Sequence, residues 1–164
     1  MAVDPYATVC DVDVAKAPSG FITRPDELPT LDQIKRLQEA MAPIQCEQPD
    51  PKHFFAPGMY LRELTVPSGM LIVGKIHKHA HFLMVLRGRA EVVSEFGRAI
   101  VEAGHISISP PGVKRVVLAI EDTQFVTVHV NKDDSQDLAV IEAQHIEAES
   151  LIGYSGNKHL EAVP

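Results

Sequence analysis

Between Met59 and Val130 the chain breaks into seven or eight short apolar segments, each closed by a turn signal, and nothing of helix length interrupts them. They run Met59–Val66, Met70–His77, Phe82–Leu86, Ala90–Phe96, Arg98–Glu102, Ile106–Ser109, Lys114–Ile120 and Gln124–Val130. Segments of this length, rich in β-branched residues, read as strands. Regular spacing without crossover helices predicts an all-β sandwich or barrel and excludes a parallel α/β sheet.

The punctuation agrees. Pro67-Ser-Gly69 and Pro111-Gly112 suit tight turns, with proline fixing φ and glycine supplying a positive φ. Phe96-Gly97 joins two segments as a hairpin, and Gly88 stands between two others, where a side chain would hinder the turn.

The flanks differ. Residues 1–57 hold eight of the twelve prolines, a density that prevents long regular elements and predicts an extended arm lying on something else. Within it, Thr30-Leu-Asp-Gln33 reads as a capping box. Leu31, Ile34, Leu37 and Met41 follow at helical spacing, so a short amphipathic helix is expected from about 31 to 41, ended by Pro43. After the barrel segment, 58–131, the third region is 132–164. Asp133, Asp134 or Ser135 there caps a helix running to about 148, followed by a loosely held tail.

Composition narrows the function. A formal net charge of −7 argues against a general nucleic-acid binder, because phosphate contacts need a basic face. Cys10 and Cys46 are distant and lack CxxC spacing, so two plain thiols in a reducing compartment are expected. No basic-then-apolar leader opens the chain, and no run approaches the length of a membrane span. A soluble cytoplasmic protein is the expectation.

The order of strands and turns resembles the cupin family, the double-stranded β-helix or jelly-roll barrel. Two glycine-to-glycine frames carry the resemblance. The first runs from Gly69 through Lys75, His77 and His81 to Gly88, and the second from Gly104 through Pro110, Gly112 and Arg115 to Ala119. It covers roughly residues 58 to 130. In that family two histidines and a glutamate of the first frame, with a histidine of the second, bind a divalent metal inside the barrel. Here those four positions are Lys75, His77, His81 and Arg115. Lysine and arginine are not ordinary metal ligands, which leaves His77 and His81.

Further histidines fall close by. His79 lies in the turn between His77 and His81, and a change of register would bring it inward. His129 ends the last strand on the face shared with Thr127 and Phe125. The expected ligands of a divalent metal are therefore His77, His79, His81 and His129, an imidazole set suited to Zn, Fe, Ni or Mn. His53, His105, His145 and His159 have no supporting context and read as structural or exposed. Lys75 and Arg115 either make a cationic pocket for a small anionic ligand or pair internally with Glu63, Glu91 or Glu95. Arg62, Arg87 and Arg98 are expected on the solvated face. If a general base exists, Glu63, Glu91, Glu95 or Tyr60 supplies it.

The block His77-Lys-His-Ala-His81 with Ser109-Pro-Pro-Gly112 and a late Thr-Val-His129 also resembles small cupin-like proteins of bacteriophages, which implies host cytoplasm or virion as the setting. Two functions compete. One is a metal-dependent enzyme of isomerase, dioxygenase or lyase type acting on a small anionic metabolite. The other is a non-catalytic binding or assembly module, a homo-oligomer built through the arm and the sheets, with no nucleic-acid or membrane partner.

Overall fold

The computed structural model describes residues 7–11, 27–44 and 49–148. Cys46, His159, the tail and much of the proline-rich arm lie outside them. Ten strands and two helices follow in chain order: β1 (Ala7–Asp11), α1 (Leu31–Met41), β2 (Lys52–Ala56), β3 (Gly58–Val66), β4 (Met70–Gly74), β5 (His81–Arg87), β6 (Arg89–Ser94), β7 (Gly97–Glu102), β8 (Ile106–Ser109), β9 (Val116–Ala119), β10 (Thr123–Asn131) and α2 (Leu138–His145).

Two antiparallel five-stranded sheets result, in the orders β1-β4-β9-β6-β7 and β2-β3-β10-β5-β8. The ladders β3·β10, β4·β9, β5·β8 and β6·β7 have one meaning. The chain is folded back on itself at the β6–β7 hairpin, and the doubled strand is wound across both sheets. That is the jelly-roll topology the cupin resemblance implies, and it falls within the sandwich-or-barrel class the segment pattern predicts. β1 and β2 come from the segment expected as an arm, and they extend one sheet each by pairing with β4 and β3.

Turn chemistry holds the winding together. Gly88 has φ +80°, and a Cβ there would collide with the backbone carbonyl of Asp122. Gly112, at φ +78°, donates its amide to the His77 carbonyl at 2.9 Å and so ties the Pro110–Gly112 turn to the histidine segment.

α1 begins at the capping box read from the sequence: the Gln33 amide donates to Thr30 Oγ1, and the Thr30 amide donates to Gln33 Oε1 at 2.8 Å. Its Ile34, Leu37 and Met41 pack on Leu71, Val73 and Val116, covering the outer face of the first sheet. Burial of each such side chain is worth about 1.5–3 kcal/mol. The outer face of the second sheet has no such cover from α1.

Inside, the barrel is divided along its length. Leu64, Val66, Ile72, Val85 and Phe125 form an apolar core at one end. Along β10 the inward residues pass from Phe125 to Thr127 to His129, so one strand walks from core to polar end at about 6.8 Å per step. At that polar end α2 is strapped across the opening. Its N-cap is Asp137, two to four residues later than the expected Asp133, Asp134 or Ser135, with the side chain accepting from the Ala139 amide. Lys78 donates its amide to the His145 carbonyl at 2.7 Å, Glu147 donates its amide to the Ile76 carbonyl at 2.9 Å, and His77 bridges to Ile146.

Candidate metal centre

Strand register assembles the site. On the inner face of the second sheet, Phe55 opposes Tyr60, Tyr60 opposes His129, and His81 lies beside His129 because Val128 is paired with Phe82. His77 reaches the same point from the segment after β4. The three rings meet with centroid separations of 4.1 Å (His77–His81), 4.6 Å (His81–His129) and 5.3 Å (His77–His129). One nitrogen from each of the three lies within 4.8 Å of the others.

All three imidazoles are held uncharged. Burial lowers the His77 pKa to about 3, helped by His81 and the positive charges of Arg62 and Arg115. Burial also lowers His81 to about 4 against the opposing pull of the His79 carbonyl, and His129 to about 2. A neutral imidazole keeps a lone pair for coordination, so the donor set has the chemistry of a metal ligand. Nitrogens sharing a tetrahedral zinc sit about 3.4 Å apart, so small side-chain adjustments from the present spacing close the set around an ion. The residues fit the group.

His79 does not join them. It is exposed on the turn, and its ring lies 6.1 Å from that of His145. The expectation that it turns inward fails because its residue's place is the tip between His77 and His81, whose own side chains take the inward positions. His145, read from sequence as structural or exposed, is instead 6% exposed and stands 5.0 Å from His129. Neither of its ring nitrogens makes a hydrogen bond to a described residue. Val130's backbone favours its charged form without meeting hydrogen-bond geometry, and burial outweighs it, lowering the pKa. No motif signals His145, because α2 lies outside both glycine frames. His53 is also tied to the site: its Nδ1 is 2.7 Å from the Tyr60 hydroxyl, and the Tyr60 ring stacks on His129 at 5.8 Å.

The cations sort differently from the expectation. Arg115 does face the interior, donating to Ser109 Oγ at 2.7 Å, and burial lowers its pKa. Arg62, expected on the outside, lines the same cavity, since it is an inward residue of β3 two positions from Tyr60. Lys75 lines it too, but its ammonium is held 2.7 Å from Glu142 of α2 rather than by Glu63, Glu91 or Glu95. Glu63 is paired with Lys52 and Glu91 with Arg98. Arg87 and Arg98 are exposed as expected. The cavity itself is about 120 Å³, and none of the described residues lining it is acidic. No helix among the described residues is long and apolar enough to cross a membrane.

No family model matches the chain. No curated protein matches it either. Solved structures do. A double-stranded β-helix protein from Klebsiella pneumoniae is 19% identical over 56% of this chain and 84% of its own, with a TM-score of 0.47. An RmlC-like cupin from Methanocaldococcus jannaschii is 16% identical over 54% and 84%, with a TM-score of 0.44. KdgF from a Halomonas species is 18% identical over 51% and 80%, again at 0.44. Each is a likeness to about half of this chain.

Proposed function

We propose that this protein is a metal-binding jelly-roll barrel in which His77, His81 and His129 hold one divalent transition metal, Zn, Fe, Ni or Mn, and present it to a small anionic ligand. The observation that carries the reading is the lining of the inner cavity: three uncharged imidazoles beside the guanidinium groups of Arg62 and Arg115, with no acidic residue described among them. Arg115, whose guanidinium reaches Ser109 and meets no carboxylate among the described lining residues, favours an anion beside it. A bound ion would supply Lewis acidity. Arg115, fixed by Ser109, would orient a carboxylate or other oxyanion, and Arg62 adds charge from the opposite sheet. The apolar walls formed by Leu83, Val117 and Phe125 exclude water from the reacting end. At about 120 Å³ the cavity admits only a small molecule or the end of a larger one.

Metal analysis tests this. Purified protein is expected to hold about one transition-metal ion per chain, and His81→Ala and His129→Ala to lose it. Protein that stays metal-free when Zn, Fe(II), Ni and Mn(II) salts are supplied in turn overturns the reading.

A second reading, assembly through the barrel, is favoured by the outer face of the second sheet. Phe54, Leu61, Val128, Phe82 and Ile108 are successive cross-strand partners over all five strands, forming one apolar row, and Ile106, Met59 and Val130 flank it. Ile106 and Ile108 are each 66% exposed. We propose a second copy of this chain as the occupant. Five strands by three rows present about 500 Å² in projection before side-chain relief is counted, which approaches the roughly 800 Å² per partner of a stable interface. This reading and the metal reading are compatible.

A further inference from the structure

The triad is buried, yet it must be loaded. His81 is 7% exposed and His129 5%, so an ion arriving from solvent has to pass something. Directly outside lies a second cavity of about 460 Å³, bounded by the turn carrying His79, the end of β10 with Lys132 and Asp133, and the last turn of α2 with Gln144 and His145. His145 faces this outer cavity, and its ring is also packed 5.0 Å from His129, which lines the inner one.

His145 is more than nine-tenths buried, and both of its nitrogens lack a hydrogen-bond partner among the described residues. Leaving a buried polar atom unsatisfied costs about 1–3 kcal/mol, so two such atoms on one ring leave a place that a coordinating ion or a water would stabilise. The imidazoles then form a series from surface to interior: His79 exposed on the turn, His145 6.1 Å further in, and His129 5.0 Å beyond it. The formal charges of Lys132 and Asp133 offset one another at the rim, and Asp133 accepts from Gln144 Nε2 at 2.8 Å. The cavity therefore presents mainly nitrogen donors to whatever enters.

We propose that His79 and His145 form a two-imidazole transit site that captures a divalent transition metal at the surface and passes it to the His77–His81–His129 triad. The proposal rests on the metal reading of that triad. Transfer proceeds by ligand exchange between adjacent imidazoles, with no change in oxidation state. His145 is released from the ion once the triad holds it, because its nitrogens do not lie within the three-membered donor set. The roles divide accordingly: the triad sets affinity, and His79 and His145 set the rate of entry and exit.

Stopped-flow uptake of zinc by the metal-free full chain, read by a competing chromophoric chelator, separates these. His79→Ala, an exposed change that leaves the fold alone, and His145→Phe, which keeps a ring in the buried space, are each expected to slow uptake and release by about tenfold, or about 1.4 kcal/mol in barrier. The equilibrium affinity should stay within about twofold of the parent. Unchanged rates in His79→Ala overturn the transit site while leaving the triad reading intact. Loss of affinity in step with rate overturns it too, since His145 would then be a ligand of the resident ion. Failure of the parent protein to take up zinc, and likewise Ni and Mn(II), removes the triad reading and this one with it.

Discussion

His81 and His129 lie side by side on neighbouring strands, ring centroids 4.6 Å apart and planes within 24° of parallel. The pairing of Val128 with Phe82 fixes this contact, so the sheet register decides that two imidazoles face one another where no water shell separates them. Both must be neutral for that packing, and burial keeps them so.

A pH dependence of stability follows. An unfolded histidine titrates near 6.5, whereas His77, His81 and His129 are lowered to about 3, 4 and 2. Between about pH 6.5 and 4 the unfolded chain binds protons that the folded chain refuses, so stability is full above that window and falls as pH drops through it. Near pH 5 each histidine contributes a slope of about 1.4 kcal/mol per pH unit. The Tm of metal-free protein, followed by circular dichroism from pH 7 to 4.5, should fall steeply, and His129→Leu should flatten the curve. A flat profile in the parent would show that the triad is not desolvated.

Two glycines with positive φ should respond differently to alanine. Gly69→Ala meets open space and bears only the left-handed backbone penalty of about 1–2 kcal/mol. Gly88→Ala adds a collision with the Asp122 carbonyl at the mouth of β10, so its cost should exceed that of Gly69→Ala by about 1–3 kcal/mol. Urea denaturation of the pair measures the difference. Equal losses would mean that the Gly88 and Asp122 backbones separate without cost.

The strap across the site can be released on its own. Lys75 and Glu142, at 9% and 16% side-chain exposure, join the end of β4 to α2. Removing one partner leaves the other largely buried, so Lys75→Met and Glu142→Gln should each cost about 2 kcal/mol, and the double change less than their sum. Hydrogen exchange of the amides of Lys78 and Glu147, which bond the strap, should speed up in either variant. Protection equal to the parent's would mean that the backbone bonds alone hold α2.

Much of this was legible in the sequence, for a physical reason. Strand period, the Thr30–Gln33 box and the glycines at positions 88 and 112 are local signals, and each local element formed as the residues required. His81 and His129 were legible too, since alternation along β5 and β10 settles which side chains turn inward, and His77 was legible from the frame between Gly69 and Gly88. Arg62 and His145 were not. Arg62 obeys the same alternation as Tyr60 and Leu64, but a charge is expected outside, and that expectation overrode the strand period. His145 reaches the site by the docking of α2, a long-range contact with no counterpart in its neighbours. Lys75 found its carboxylate on that same helix, beyond the reach of a reading confined to the barrel.

The contrast between the two outer faces yields the last prediction. α1 covers Leu71, Val73 and Val116 on one sheet, while the row from Phe54 to Ile108 on the other remains exposed, with Phe82 at its centre 50% exposed. An exposed apolar patch of this extent is uncommon on a monomer, and charge is confined to its border, where Lys52 pairs with Glu63. Two copies related by a two-fold axis would bury the row against itself, each Phe82 close to the axis. Phe82→Glu sets a pair of like charges at that centre and should convert a dimer to a monomer in light scattering, with the circular dichroism spectrum and zinc affinity unchanged. Ile100→Glu, on β7 of the opposite sheet, is the control and should leave the dimer intact. A parent protein that runs as a monomer at micromolar concentration sinks the assembly reading, and the triad stands without it.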